Sequence, residues 1–146
     1  MVLTLLVGFF IIVINVVVQA YGNVVWLKQI VPSFKNGMLL NTSKPALKLL
    51  IFSFLFFTLL HALQTLLWAS MYMTITETSQ LFSSFSEAWY FSLVTFTSLG
   101  YGDVTLTGHW RLLSGVEAIN GIMLIGWSTA MMYSLIQQIY KSLNSN

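Results

Sequence analysis

The sequence predicts an all-α membrane protein: three transmembrane helices, with a shorter re-entrant helix and an extended segment set between the second and third. Three observations carry this. Of 146 residues, 57% are hydrophobic and 7% are charged, a balance that soluble globules of this size do not have. Three apolar stretches are each long enough to cross a hydrocarbon core of about 30 Å at about 1.5 Å per residue. Residues 85–97 are apolar but too short to span, and Ser84 with Glu87 gives the Ser-x-x-Glu signature of a helix start.

The composition also excludes whole classes. There is no cysteine, so disulfides and thiolate metal sites are ruled out. A net charge of +2 without a basic cluster gives no reason to expect nucleic acid as a partner. His61 and His109 are far apart and lack metal-ligand spacing. No nucleophile triad, nucleotide loop or catalytic carboxylate pair can be assembled, so the chain reads as a non-enzyme without a cofactor.

Residues 1–22 form the first transmembrane helix. Its apolar run exceeds a typical leader, with no positive start and no Ala-x-Ala site, so it reads as a retained span. Asn15 either faces a neighbouring helix or bonds within its own. Residues 23–44 read as a cytoplasmic connector, because Gly22-Asn23, Pro32-Ser33 and Asn36-Gly37 are breakers. Asn41-Thr42-Ser43 ahead of Pro45 opens the next helix. The second span, 45–73, carries His61 and Gln64 one turn apart, and the third, 111–140, carries Glu117 and Asn120 likewise. Gly115, Gly121 and Gly126 thin the third span and allow close packing or bending.

Charge sets the orientation. Lys28, Lys35, Lys44, Lys48 and Lys141 lie on the side of the connector and C-terminus, and only Arg111 lies opposite. The positive-inside rule puts the connector and C-terminus in the cytoplasm and the N-terminus outside. Residues 74–110 are then external. A helix of about 12 residues starting there descends about 18 Å, half the membrane. Its C-terminal end, near Thr97, brings partial negative charge to mid-membrane. An extended stretch must climb back, and such backbone survives at membrane depth only against protein or a water-lined path.

That climbing stretch is Thr95-Phe96-Thr97-Ser98-Leu99-Gly100-Tyr101-Gly102-Asp103. It resembles the selectivity filter of the potassium channel family, Thr-x-x-Thr-x-Gly-Tyr-Gly-Asp. Ser98 stands for the second threonine, keeping the hydroxyl but losing the β-branch. Leu99 stands for the usual valine or isoleucine. The resemblance extends from about Leu49 to Gln138 and implies an ion-channel pore domain over 45–146. Its parts are an outer helix 45–73, a pore helix 85–97, a filter 98–103 and an inner helix 111–140. The implied function is passive, potassium-selective conduction, with weaker cation selectivity or a non-conducting assembly subunit as alternatives. K⁺ would be held by carbonyls of Ser98, Leu99, Gly100, Tyr101 and Gly102, with Asp103 at the mouth. Because one chain has one motif, the implied assembly is a homotetramer in the lipid bilayer of the cell membrane.

Other residues take expected roles around this filter. Tyr101 is expected to pack on Trp89 and Tyr90, which with Thr95 support the filter. Glu117 either braces the pore helix from behind or is a hydrated acid near the interface. Gly121 is the candidate gating bend. Ile125, Thr129 and Tyr133, with Ile122, are expected to line the cavity. Gln64 and Asn120 should hydrogen-bond between helices. His61 reads as neutral and satisfied by a neighbour in preference to a pH sensor, and His109-Trp110 as an interfacial anchor. The first span has no Arg or Lys, so it is no arginine-type voltage sensor; it is expected to wrap the outer helix.

Overall fold

The structure, a computed structural model, describes residues 1–32 and 43–144. Every element in those residues is helical. α1 is Val2–Val25 and continues through one wide π turn, Trp26–Ile30. α2 is Ser43–Thr74, α3 is the single turn Thr76–Ser79, and α4 is Phe85–Phe96. A 3-10 turn, Gly108–Trp110, leads into α5, Arg111–Asn144. α1 with its π turn, α2 and α5 are long and apolar enough to cross a membrane, and the architecture is that of an all-α membrane protein. Lys35, Asn36-Gly37 and Asn41-Thr42 lie outside the described residues.

The helix does not stop at Gly22-Asn23, where the sequence predicts the connector to begin. Gly22 serves packing rather than a turn: a Cβ there would lie 2.7 Å from Leu60 Cδ2. Asn23 stays in the helix, its Oδ1 accepting from Gln19 Nε2 at 3.4 Å. Trp26 is then buried against Phe57, rings 5.5 Å apart, and donates from Nε1 to Ser53 Oγ at 2.9 Å.

Nor does α1 simply wrap α2. It seats on both long helices, meeting α5 at Gly8, whose Cβ would lie 3.0 Å from Val116 and 3.1 Å from Leu113. The buried side of α1 is Thr4, Gly8, Ile11, Asn15, Gln19, Gly22 and Asn23, spaced by three or four residues, which is one helical face. Leu3, Phe10 and Val17 are exposed on the rest of the helix. Small and polar inside, apolar outside, is how helices associate in lipid, where apolar burial between helices gains little and close approach and hydrogen bonds decide.

Aromatic rings fill the end of the bundle that holds α4. Tyr72 packs on Phe91 and Phe82 at 5.3 and 6.1 Å, and Trp68, Phe96, Leu106 and Leu113 close the cluster. Trp110 belongs to it too, buried and 4.9 Å from the exposed His109 ring. A second cluster, with Trp26, Leu49, Phe57, Leu135 and Ile139, closes the opposite end.

Candidate functional site

α4 is started by its own sequence. Ser84 Oγ accepts from the Glu87 N–H at 3.2 Å. The return arm of the expected capping box lands one residue early: Glu87 Oε2 accepts from Ser83 Oγ and from Ser83 N, both at 2.6 Å. Those bonds, the hydroxyl's first, hold Glu87 below the usual carboxylate range.

Its far end is set by one glycine. A Cβ on Gly121 would lie 1.9 Å from the Phe96 carbonyl oxygen. Gly121 is ten residues into α5, so α4 ends about 15 Å below the start of that helix, half of an approximately 30 Å core. α5 runs unbroken through Gly121. The glycine is there because backbone meets backbone.

Beyond Phe96 the chain turns sharply. Ser98 N donates to Thr95 O and Leu99 N to Val94 O, both at 2.9 Å, the paired bonds of a Schellman cap. Ser98 sits in its left-handed position, φ 59°, where glycine is usual and a side chain costs about 1–2 kcal/mol. Gly100 and Gly102 follow with φ 56° and 78°. Left-handed backbone at every second residue breaks the alternation of an ordinary strand, in which successive carbonyls point oppositely.

The stretch climbs back beside α4. Ser98, Gly100, Gly102 and Asp103 line a pocket of about 400 Å³ with Tyr90, Thr95 and Arg111. Tyr90 Oη donates to Asp103 Oδ2 at 2.8 Å, and this bond to a carboxylate raises the phenol above its usual range. Tyr101 and Leu99 are 67% and 57% exposed. Packing of Tyr101 on Trp89 is therefore not made within the chain. Trp89 turns the other way, donating to Thr65 Oγ1 at 3.1 Å on α2.

Behind α4 is a buried acid. Glu117 is fully buried, which removes the hydrated alternative. Its Oε1 accepts from Ser92 Oγ of α4 at 2.5 Å, and its Oε2 from Tyr72 Oη of α2 at 2.6 Å. Ser92 Oγ also reaches Thr65 O at 2.9 Å. One carboxyl thus joins the inner, outer and short helices.

A second polar group lies nearer mid-bundle. Gln64 does not pair with Asn120. Its Nε2 donates to Gln19 Oε1 at 3.0 Å and to the Asn15 carbonyl at 3.4 Å. Asn120 instead accepts from Trp68 Nε1 at 3.1 Å, one turn further along α2. Gln19 Nε2 donates to Ser128 Oγ of α5 at 2.9 Å, and His61 Nδ1 lies 2.7 Å from Gln64 Oε1. Asn15 Nδ2 bonds its own helix at Ile11 O, 3.2 Å.

Below the end of α4 is a pocket of about 530 Å³, lined by His61, Phe96, Thr97, Ile125, Ser128 and Thr129 among others. Ile122 lies elsewhere, in a depression with Ile12 and Val16 of α1. Tyr133 is exposed, its Oη accepting from Gln137 Nε2 at 3.0 Å. Among the described residues no three His, Asp or Glu side chains could share a metal.

Sequence reasoning missed Tyr72, Ser92, Thr65 and Gln19. Gln19 and Ser92 carried a usable signal: a polar side chain in an apolar helix must find a partner. Tyr72 carried none, since it sits at a helix end where an exposed phenol is ordinary.

A long outer helix, a half-length helix ending at mid-bundle, a glycine-rich return and a long inner helix are the parts of a two-span channel pore. A family model described as "Ion channel" matches residues 45–138, from the start of α2 to near the end of α5. The chain belongs to that ion-channel family, with an extra N-terminal helix before the two-span pore. Searches of curated proteins and of solved structures returned no match to it.

Proposed function

We propose that this channel is potassium-selective, assembles as a homotetramer and conducts passively. The observation that carries the reading is the left-handed backbone at Ser98, Gly100 and Gly102, directly after a helix that ends at mid-bundle. Four such stretches around one axis would make a column of carbonyls able to replace the hydration shell of a cation. K⁺ is then held at Ser98, Leu99, Gly100, Tyr101 and Gly102, and Asp103 raises the local cation concentration at the mouth. The negative end of α4 favours an ion below the column. Leu99 and Tyr101 are large apolar side chains exposed on the single chain, and a second copy is what would cover them.

Trp89, Tyr90, Thr95 and Glu117 support the filter, and Gly121 seats the pore helix. Ile125, Thr129 and Tyr133 line the path below. Residues 45–146 are the pore domain and 1–22 open the added helix. The lysine distribution supports a cytoplasmic C-terminus and an outward-facing filter in the cell membrane. Ser98 and Leu99 favour a second reading, a weakly selective cation channel. Rubidium uptake into liposomes tests the assignment. Uptake driven by trapped K⁺, abolished when K⁺ is made equal on both sides but not by external Na⁺, and lost in Gly102→Ala, is expected; equal uptake of Na⁺ and rubidium favours the second reading.

A further inference from the structure

The hydrogen bonds at mid-bundle have a fixed direction. The Asn15 carbonyl can only accept, so the Gln64 group facing it must be the amide nitrogen, 3.4 Å away. The same nitrogen faces Gln19 Oε1 at 3.0 Å. Gln64 therefore turns its oxygen to His61 Nδ1, at 2.7 Å, and the imidazole must carry its proton on Nδ1. Gln19, its oxygen already used, turns its nitrogen to Ser128 Oγ at 2.9 Å. The order runs His61 to Gln64 to Gln19 to Ser128, from α2 through α1 to α5. Neutral His61 keeps Nε2 as a bare acceptor.

We propose that His61 is a proton-binding site of the channel, and that a proton taken up on its Nε2 lowers cation flux. His61 lines the pocket shared by Thr97, Ile125 and Thr129, and its ring lies 6.0 Å from that of Phe96, the last residue of α4. Protonation leaves the Nδ1 bond to Gln64 in place, because both nitrogens of the cation donate. What changes is charge. A positive charge enters the space under the pore helix, where the helix end otherwise favours a waiting cation.

No other charge answers it among the described residues. α1 has none before Lys28, and α2 none between Lys48 and Glu77. The acid of α4, Glu87, is near the opposite end of that helix. On α5, Glu117 lies outward of Gly121 and is held by Ser92 and Tyr72, while Ile125, Ser128 and Thr129 are uncharged. A unit charge about 10 Å from a cation, at an effective dielectric near 20, lowers its occupancy by roughly tenfold.

The inference rests on the channel reading, and two measurements separate them. Histidine side-chain NMR on the bilayer-embedded protein, with His109→Asn so that His61 alone reports, is expected to show the Nδ1–H tautomer near pH 8. A proton should then be gained at Nε2 as pH is lowered. An Nε2–H tautomer, or no proton gained at Nε2 down to the pH at which the fold is lost, overturns the proposal whatever the flux. Rubidium flux through the full chain is expected to fall roughly tenfold over the pH span in which His61 gains its proton, in wild type and His109→Asn alike, and to become flat in His61→Gln and His61→Asn. Flux independent of pH, or an unchanged pH profile in both His61 variants, also overturns it. A protein that passes no ion at any pH removes the channel reading and this proposal with it.

Discussion

Two buried polar groups hold this bundle together, and they are built differently. Around Glu117 the bonds are short, 2.5 and 2.6 Å, and join hydroxyls to a carboxyl. Around Gln64 the partners are an imidazole at 2.7 Å and amides at 3.0 and 3.4 Å. In that second group two buried atoms, Asn15 Oδ1 and Asn23 Nδ2, have no partner. The first fixes the pore helix against both pore-domain helices. The second ties α1 to them. A satisfied network rigidifies, and unmet buried atoms carry a desolvation cost that weakens the seam they sit in. The contrast suggests that the filter's backing is the rigid part of the molecule and the α1 seam the adjustable one.

The largest expected effect comes from Gly121→Ala, which drives a methyl into the Phe96 carbonyl. Backbone cannot give way as a flexible side chain can, so we expect a loss of about 3 kcal/mol or more and no conduction. Thermal unfolding in detergent and rubidium flux read it; a stable, conducting variant would remove the seat assigned to this glycine. Next is Glu117→Ala, which strands the Tyr72 hydroxyl, leaves Ser92 only the Thr65 carbonyl and opens a cavity, for about 3 kcal/mol. Glu117→Gln keeps an acceptor and should lose far less. Equal losses in the two variants would show that the carboxyl does not brace α4.

Smaller again is Gln19→Leu. It removes bonds to Ser128 and Gln64, each worth about 0.6–1.7 kcal/mol between helices in lipid. Melting temperature should fall while ion selectivity stays unchanged. Selectivity lost in the intact assembly would mean that α1, and not only the Glu117 group, sets the filter. The smallest effect is expected from acid. Glu87 is held below its unfolded range by Ser83, so its contribution to the α4 start is present above the unfolded carboxylate range, about pH 4.3. It is lost as pH falls through the lower, folded value. In Glu87→Gln that acid-dependent part of the melting curve should vanish.

Much of the plan was legible in the sequence because it depends on length and local chemistry. Three apolar runs, the Ser84 start and the glycine positions of the return are properties of single segments. What failed depended on how separate helices line up. The expected Gln64–Asn120 pair depends on the register of two helices, and a displacement of one turn gives Asn120 to Trp68 and Gln64 to Gln19. Gly22 reads as a breaker, yet it marks a close approach of helices, as Gly121 also does. A glycine in a helix looks the same in sequence for either use, and only the neighbour decides.

The central claim, potassium selectivity at Ser98–Gly102, is tested most directly by the reversal potential of single channels in planar bilayers with K⁺ on one side and Na⁺ on the other. A reversal potential that follows the K⁺ gradient is expected, and no current in Gly102→Ala. A reversal potential near zero in such mixed salts, with normal current, would contradict it.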